Sequence, residues 1–188
     1  MKTSKKFVLG LCSLAVMLGM RSPQVDYAKE PLGARASGSD SDTLTIDAVV
    51  AALYESLTFP EGKTPDLERF ASLFTPGASF TRINKEGTVD LMNTETFLRS
   101  FRERLDKGLI KSFHESEIAR TSQIFGPMAH IFSTYRKGIN VADPLKMGRG
   151  INSLQLFHEA DRWRVCAILW LDERPDSPIP PEFLPSGR

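Results

Sequence analysis

The stretch FHESEIARTSQIFGPMAHIFSTYRKG at 113–138, with RGINSLQLFH at 149–158 and WRVCAILWLD at 163–172, decides the fold of this 188-residue chain. Gly126-Pro127 breaks the first stretch, and Glu159 to Arg162 separates the last two. The region therefore reads as four consecutive strands, Phe113–Ile124, Met128–Gly138, Arg149–His158 and Trp163–Asp172. The loop Asn140 to Gly148 between the second and third is longer. Three helical segments come before them. Helices first and a meander of long strands afterwards is an α+β order, with helices on one face of a curved, mostly antiparallel sheet. One face of such a sheet can hold a pocket while the other meets solvent or a second subunit.

Working towards the N-terminus, a third helix is expected from Asn93 or Thr94, with Phe97, Leu98, Phe101 and Leu105 on one side. Arg99, Arg102, Glu103, Arg104 and Lys107 on its other side read as a solvated face. Ala78 to Ile83 reads as a short strand closed by a polar turn at Asn84 to Gly87. Thr64-Pro65-Asp66 starts a second helix, with Thr64 as the cap and Pro65 in the first helical position. It presents Leu67, Phe70, Leu73 and Phe74. Ile46, Val49, Val50, Leu53, Tyr54 and Leu57 recur at three- and four-residue steps, which predicts a first amphipathic helix.

The first 28 residues differ from the rest. Lys2, Lys5 and Lys6 precede an apolar run from Phe7 to Met20, too short to span a bilayer comfortably and suited to a signal peptide. The expected location is outside the cytoplasm, periplasmic or secreted. Ala28 and the Ala34-Arg35-Ala36 form both stand as cleavage sites, and an uncleaved anchor stays open. Residues 29–43 read as a flexible linker, 44–174 as the domain, and 175–188, with five prolines, as a tail that cannot add a central strand. Leu11 before Cys12 argues against lipidation. Cys166 is then the only cysteine of a mature chain, so no intramolecular disulfide is available. The net charge of +1 gives no electrostatic ground for nucleic acid or an anionic membrane.

The element order, together with Phe125 to Tyr135, Arg149 to Leu156, Trp163 to Trp170 and Pro178 to Leu184, resembles the NTF2-like superfamily, in a bacterial, SnoaL-like branch. The resemblance covers about residues 44 to 184. It implies a cone-shaped fold shared by ketosteroid isomerases, scytalone dehydratase, polyketide cyclases and nuclear transport factor 2. Such a fold hosts many functions. Tyr54 stands where the isomerases carry an oxyanion-hole tyrosine. Arg82 and Ser153 stand where their two aspartates would be, so that proton abstraction lacks its base here.

Strand alternation gives an independent expectation. A hairpin centred between Gly126 and Pro127 sets Glu117 opposite Arg136 and Glu115 opposite Gly138. A turn at Glu159 to Arg162 sets Ser153 opposite Ile168 and Ile151 opposite Trp170. Opposed residues share a face. The resemblance implies that Ser153 and Trp170 face the cone, and the cone face then carries Glu115, Glu117, Phe132, Arg136, Ile151, Ser153, Gln155, Cys166, Ile168 and Trp170, joined by Phe80 and Arg82. A one-residue slip in the first hairpin would swap Arg136 with Tyr135. With Tyr54, the ligand-binding set is Tyr54, Phe80, Arg82, Glu115, Glu117, Phe132, Arg136, Ser153, Gln155, Ile168 and Trp170. Glu115, Glu117 and Tyr54 are the catalytic candidates: a carboxylate as base or anchor and a phenol as donor. Alternatively, Glu117, Arg136 and Arg82 only neutralise one another.

The opposite face, with Ile118, Ile131, Tyr135, Leu154, Leu156, Val165, Ala167 and Leu169, is too apolar for solvent. A homodimer through it is expected, the alternative being cover by a helix or the tail. His114, His130 and His158 lie on separate strands with no identifiable nucleophile, so neither a metal site nor a serine–histidine pair is expected. No cofactor is expected. The functional expectation is an exported domain binding a small, largely apolar ligand in its cone. The competing expectations are a cofactor-free cyclase, isomerase or dehydratase, and a dimeric interaction module with a vestigial pocket.

Overall fold

A computed structural model describes residues 40–185 apart from Ala142. The expected signal peptide and residues 29–39 of the linker lie outside the described residues. Residues 40–43 form a short 3₁₀ turn in which Asp42 pairs with Arg69 at 2.7 Å.

Helix α1 (Ile46–Leu57) begins where Thr45 takes the Ala48 N–H on its hydroxyl at 3.0 Å, and Asp47 lies in its first turn. Its inner side buries Val49, Val50, Leu53, Tyr54 and Leu57. At its end the Thr58 hydroxyl donates to the Tyr54 carbonyl at 2.9 Å and accepts the Glu115 N–H at 3.1 Å. That joint fixes the backbone of Glu115 against the helix terminus. Helix α2 is short (Leu67–Ser72) and is capped by Asp66, which accepts the Arg69 N–H, rather than by Thr64. Strand β1 (Phe74–Ile83) starts four residues earlier than expected, running through Pro76 and Gly77, whose φ is +77°. Strand β2 (Val89–Asn93) and helix α3 (Thr94–Asp106) follow, with Asn93 capping α3. The helices thus do not form one N-terminal group: α3 comes after the first two strands.

Strands β3 (Phe113–Phe125), β4 (Met128–Ile139), β5 (Gly148–Glu159) and β6 (Arg162–Asp172) complete a six-stranded sheet in the order β2-β1-β6-β5-β4-β3. It is mixed: β1 runs parallel to β6, and every other neighbour is antiparallel. No described helix is long and apolar enough to cross a membrane.

Two irregularities reassign the faces. Near its turn the β3–β4 hairpin has the expected register, Phe125 opposite Met128. Between Glu117 and Ala119 it slips by one residue at Ile118. Glu117 therefore pairs with Tyr135, not Arg136, and Glu115 with Lys137, not Gly138. The β5–β6 hairpin slips in the same way at Cys166, so Leu154 faces Ile168 and Asn152 faces Trp170. A bulge inserts one residue and flips every side chain beyond it to the other face.

Ile131, Tyr135, Leu154, Leu156 and Val165, expected outside, are the buried floor of the core. Of the apolar set expected to carry a homodimer, Ala167 and Leu169 remain on the outer face, Leu169 exposed. Phe132, Arg136, Ser153 and Gln155, expected inside the cone, lie outside. There the tail crosses the sheet. Phe183 sets its ring edge-on to Phe132 at 4.8 Å, the Thr134 hydroxyl donates to the Phe183 carbonyl at 2.6 Å, and Ile179 is buried.

Candidate functional site

Between the inner face of the sheet, α1 and α3 lies a cavity of about 660 Å³. Its deep wall is Leu53, Leu57, Phe70, Phe80, Phe113 and Ile168. Phe80, Phe74, Phe70 and Phe97 interlock, with Phe97–Phe80 centroids 5.0 Å apart, and Trp170 stands edge-on to Phe97 at 6.1 Å. Apolar walls of this kind, with a few convergent polar groups, are what a small-molecule pocket is made of. The polar groups are Glu115, Asn152, Lys137 and Asp172 along the strands, Arg82 and Asp90 on the β1–β2 hairpin, and Thr96, Ser100 and Arg104 on α3.

These groups differ in how far they are already engaged. Asp172 is engaged through one oxygen: the Tyr135 hydroxyl donates to its Oδ1 at 2.5 Å, and Lys137 Nζ meets the same oxygen at 2.5 Å. Burial works against its charge, but Lys137, Tyr135 and the nearby Arg82 outweigh it and hold the carboxyl below its ordinary range. Burial, then Asp172, push the Tyr135 phenol up. Gly150 makes this arrangement sterically feasible, since a Cβ there would sit 2.2 Å from the Tyr135 hydroxyl oxygen.

A second network runs from the cavity wall to the surface. Asn152 Nδ2 donates to the Tyr54 hydroxyl at 3.1 Å, that hydroxyl lies 2.7 Å from Ser133 Oγ, and Ser133 donates to Glu117 at 2.5 Å. Glu117 only accepts, so the proton of Ser133 goes to it and the proton of Tyr54 goes to Ser133. Arg120 grips both oxygens of Glu117, at 2.9 and 2.6 Å, and reaches on to Asp47. Tyr54 therefore has no proton left to offer a ligand. Burial, then the Glu115 charge, raise its pKa, against the hydrogen bonds of Ser133 and Asn152. Glu117 is tied down as a structural ion pair, by Arg120 rather than Arg136.

Glu115 belongs to neither network. Half-buried on the cavity lining, its carboxyl makes no hydrogen bond or ion pair with any described residue. Burial pushes it up to about 7; Lys137 pulls against that rise and Asp172 adds to it. A carboxyl titrating near neutrality, with no fixed partner, can give or take a proton or anchor a donor.

Of the expected site residues, Phe80, Arg82, Glu115, Ile168 and Trp170 meet at the cavity. Tyr54 and Glu117 stand behind its wall. Phe132, Arg136, Ser153 and Gln155 are on the outer face, where Ser153 Oγ lies 2.9 Å from Nε2 of His130. That pair corrects the expectation that Ser153 has no histidine beside it. Asn152 and Lys137 were missed because the two bulges hide their parity, whereas Asp172, two residues beyond Trp170, shares its expected inner face and was legible there. Thr96, Ser100 and Arg104 fall at four-residue steps, a signal the sequence does carry. Among the described residues no group of histidine, cysteine and carboxylate side chains could hold a metal ion.

No protein-family profile and no curated protein matches the chain. Solved structures do. A protein with a cystatin-like fold from Caulobacter vibrioides matches at TM-score 0.53 and 17% identity, over 70% of this chain and 89% of that one. A second cystatin-like protein of unknown function, from Nostoc punctiforme, matches at 0.52 and 14%, over 73% and 96%. A Mycobacterium tuberculosis protein of unknown function matches at 0.52 and 18%, over 69% and 74%. At such identities the likeness is one of fold: this chain shares the α+β fold of these cystatin-like proteins.

Proposed function

We propose that this protein binds a small, largely apolar molecule in its cone, with Glu115 as the polar anchor, and that it does so outside the cytoplasm. The observation that carries the reading is the cavity of about 660 Å³, walled by aromatic rings and holding a half-buried carboxyl, Glu115, that no described residue hydrogen-bonds or ion-pairs. A half-buried carboxyl without a partner is costly, and a ligand hydroxyl or N–H would relieve it. A vestigial pocket would have Phe80 and Trp170 collapsed into it; they line open space instead. The basic N-terminus and short apolar run support export.

Acid–base catalysis at Glu115 is the second reading, favoured by its pKa of about 7. It excludes Tyr54 as the partner donor, because that hydroxyl already donates to Ser133.

The test is native mass spectrometry of the protein from the envelope fraction of its host, beside a Ser100→Trp variant that fills the mouth. A small molecule at near-stoichiometric level in the first and lost from the second, with unchanged melting, is the expected result. An empty cone in the native protein, or equal loading of the variant, refutes the reading.

A further inference from the structure

We infer that the molecule the cone takes is an amphipathic anion, its charged head at the mouth against Arg82 and Arg104 and its apolar body against the phenylalanine wall. This rests on the cavity-binding reading and deepens it.

The cavity side of α3 carries Thr96, Ser100 and Arg104 one above another at four-residue steps. Arg82 stands across the mouth on β1. None of these four side chains hydrogen-bonds or ion-pairs with a described residue. All four can donate, and two are guanidinium forks, which suit a carboxylate, sulfate or phosphate oxygen pair.

Three carboxylates share the cavity, and their positions decide the sign of the vacancy. Asp172 is occupied by Lys137 and Tyr135. Asp90 lies directly across the ladder from Arg82, within reach of it though not ion-paired, and answers one of the two guanidinium charges. Glu115 stands opposite Lys137 on the β3–β4 ladder and keeps its proton below about pH 7, where it adds no negative charge. One positive charge therefore stands uncompensated at the mouth.

The inside has the opposite character. Leu53, Leu57, Phe70, Phe80 and Phe113 offer an anion nothing, and Glu115 repels one whenever it is ionised. The two ends together set an orientation: charged head outward and apolar body inward, with any hydroxyl or N–H of that body reaching Glu115. A neutral ligand would leave the Arg104 fork unused, and a cationic ligand would meet the excess positive charge before reaching the wall.

Decanoate and decan-1-ol, equal in chain length and differing in the head, are the probes. Each is titrated calorimetrically into the purified full chain at pH 6, where decanoate is ionised and Glu115 keeps its proton, below micelle-forming concentration, at low salt and in 0.5 M sodium chloride. The expected result is about tenfold tighter binding of decanoate at low salt, a preference that shrinks in high salt. In an Arg82→Gln/Arg104→Gln double variant the preference should vanish while decan-1-ol binds as before. Unchanged alcohol binding also reports that the variant is folded. Equal or tighter binding of the alcohol to the native protein overturns the anion and leaves the cavity reading standing. A double variant that keeps the preference overturns the two arginines as its source. Binding of neither probe overturns this inference and the apolar-ligand reading together.

Discussion

Replacing Glu115 with glutamine tests the state of the half-buried carboxyl that the cavity leaves unengaged. Burial raises this group from an ordinary 4.5 to about 7, so the folded chain keeps the proton over a range where the unfolded chain has released it. With a raised carboxyl the sign is fixed: its contribution is fully present below about pH 4.5 and is lost as pH rises through about 7. At about 1.4 kcal/mol per pH unit, the carboxyl costs the fold about 3 kcal/mol at pH 8 relative to pH 4. Glutamine has nearly the same shape, carries no charge and does not titrate. Its amide has its own burial cost, but that cost is the same at every pH. The informative quantity is therefore the difference between variant and native stability as pH changes, measured by urea denaturation from pH 4 to 9. That difference should move in favour of the variant by about 3 kcal/mol, or about 6–12 °C in melting temperature, with most of the change between pH 5 and 7.5. Other titrating groups are common to both proteins and cancel. A difference that stays flat with pH refutes the reasoning, because it would mean that Glu115 titrates as a solvated carboxyl. A difference that moves against the variant would mean that the carboxylate has found a partner.

Two further substitutions address the walls. Gly150→Ala places a methyl group 2.2 Å from the Tyr135 hydroxyl oxygen and 2.6 Å from the Leu171 carbonyl oxygen, so the phenol must leave Asp172. Overpacking and the lost charge-assisted bond should together cost about 2–5 kcal/mol, read from thermal melts; a near-neutral effect would refute the assigned close approach. Arg120→Met strips Glu117 of its fork while Ser133 still donates to it. It should destabilise by about 1–3 kcal/mol and leave decan-1-ol binding unchanged. Loss of binding without loss of stability would return Glu117 to the site.

The hydrophobic spacing of residues 46–57 and the alternation of 113–172 are strong local signals, and both elements form where those signals lie. The hairpin turns were legible as well: Phe125 opposite Met128 and Glu159 opposite Arg162 follow from the Gly126-Pro127 break and the four-residue turn. What alternation cannot carry is the single inserted residue. Ile118 and Cys166 are ordinary strand residues, with no glycine or proline beside them to mark a bulge. Each nevertheless reverses the parity of everything beyond it. Trp170 stays inside, as the resemblance implied, and with it fixed the slip at Cys166 carries Ser153, Gln155, Phe132 and Arg136 outside. The slip at Ile118 offsets the first and keeps Glu115 and Glu117 inside. The buried polar residues Asn152 and Ser133 gave a retrospective clue. Each stands on an aliphatic face, beside Leu154 and Ile131, and each is there because Tyr54 needs partners.

The saturation of that network isolates Glu115. Tyr54, Ser133, Glu117 and Arg120 engage one another, and so do Tyr135, Asp172 and Lys137. The fold thus supplies partners for nearly every polar group that it buries along the sheet, as burial demands. Glu115 lies between these two networks, within electrostatic range of Tyr54 on one side and Lys137 on the other, and belongs to neither. Its backbone is pinned by Thr58, so the position of the carboxyl is set by the α1–β3 joint rather than by any contact of its own. A leucine would pack against the same aromatic wall without the electrostatic cost, and nothing in the surrounding structure needs the charge. A carboxyl that the fold holds in place, destabilises and leaves open to a cavity is accounted for by what enters that cavity.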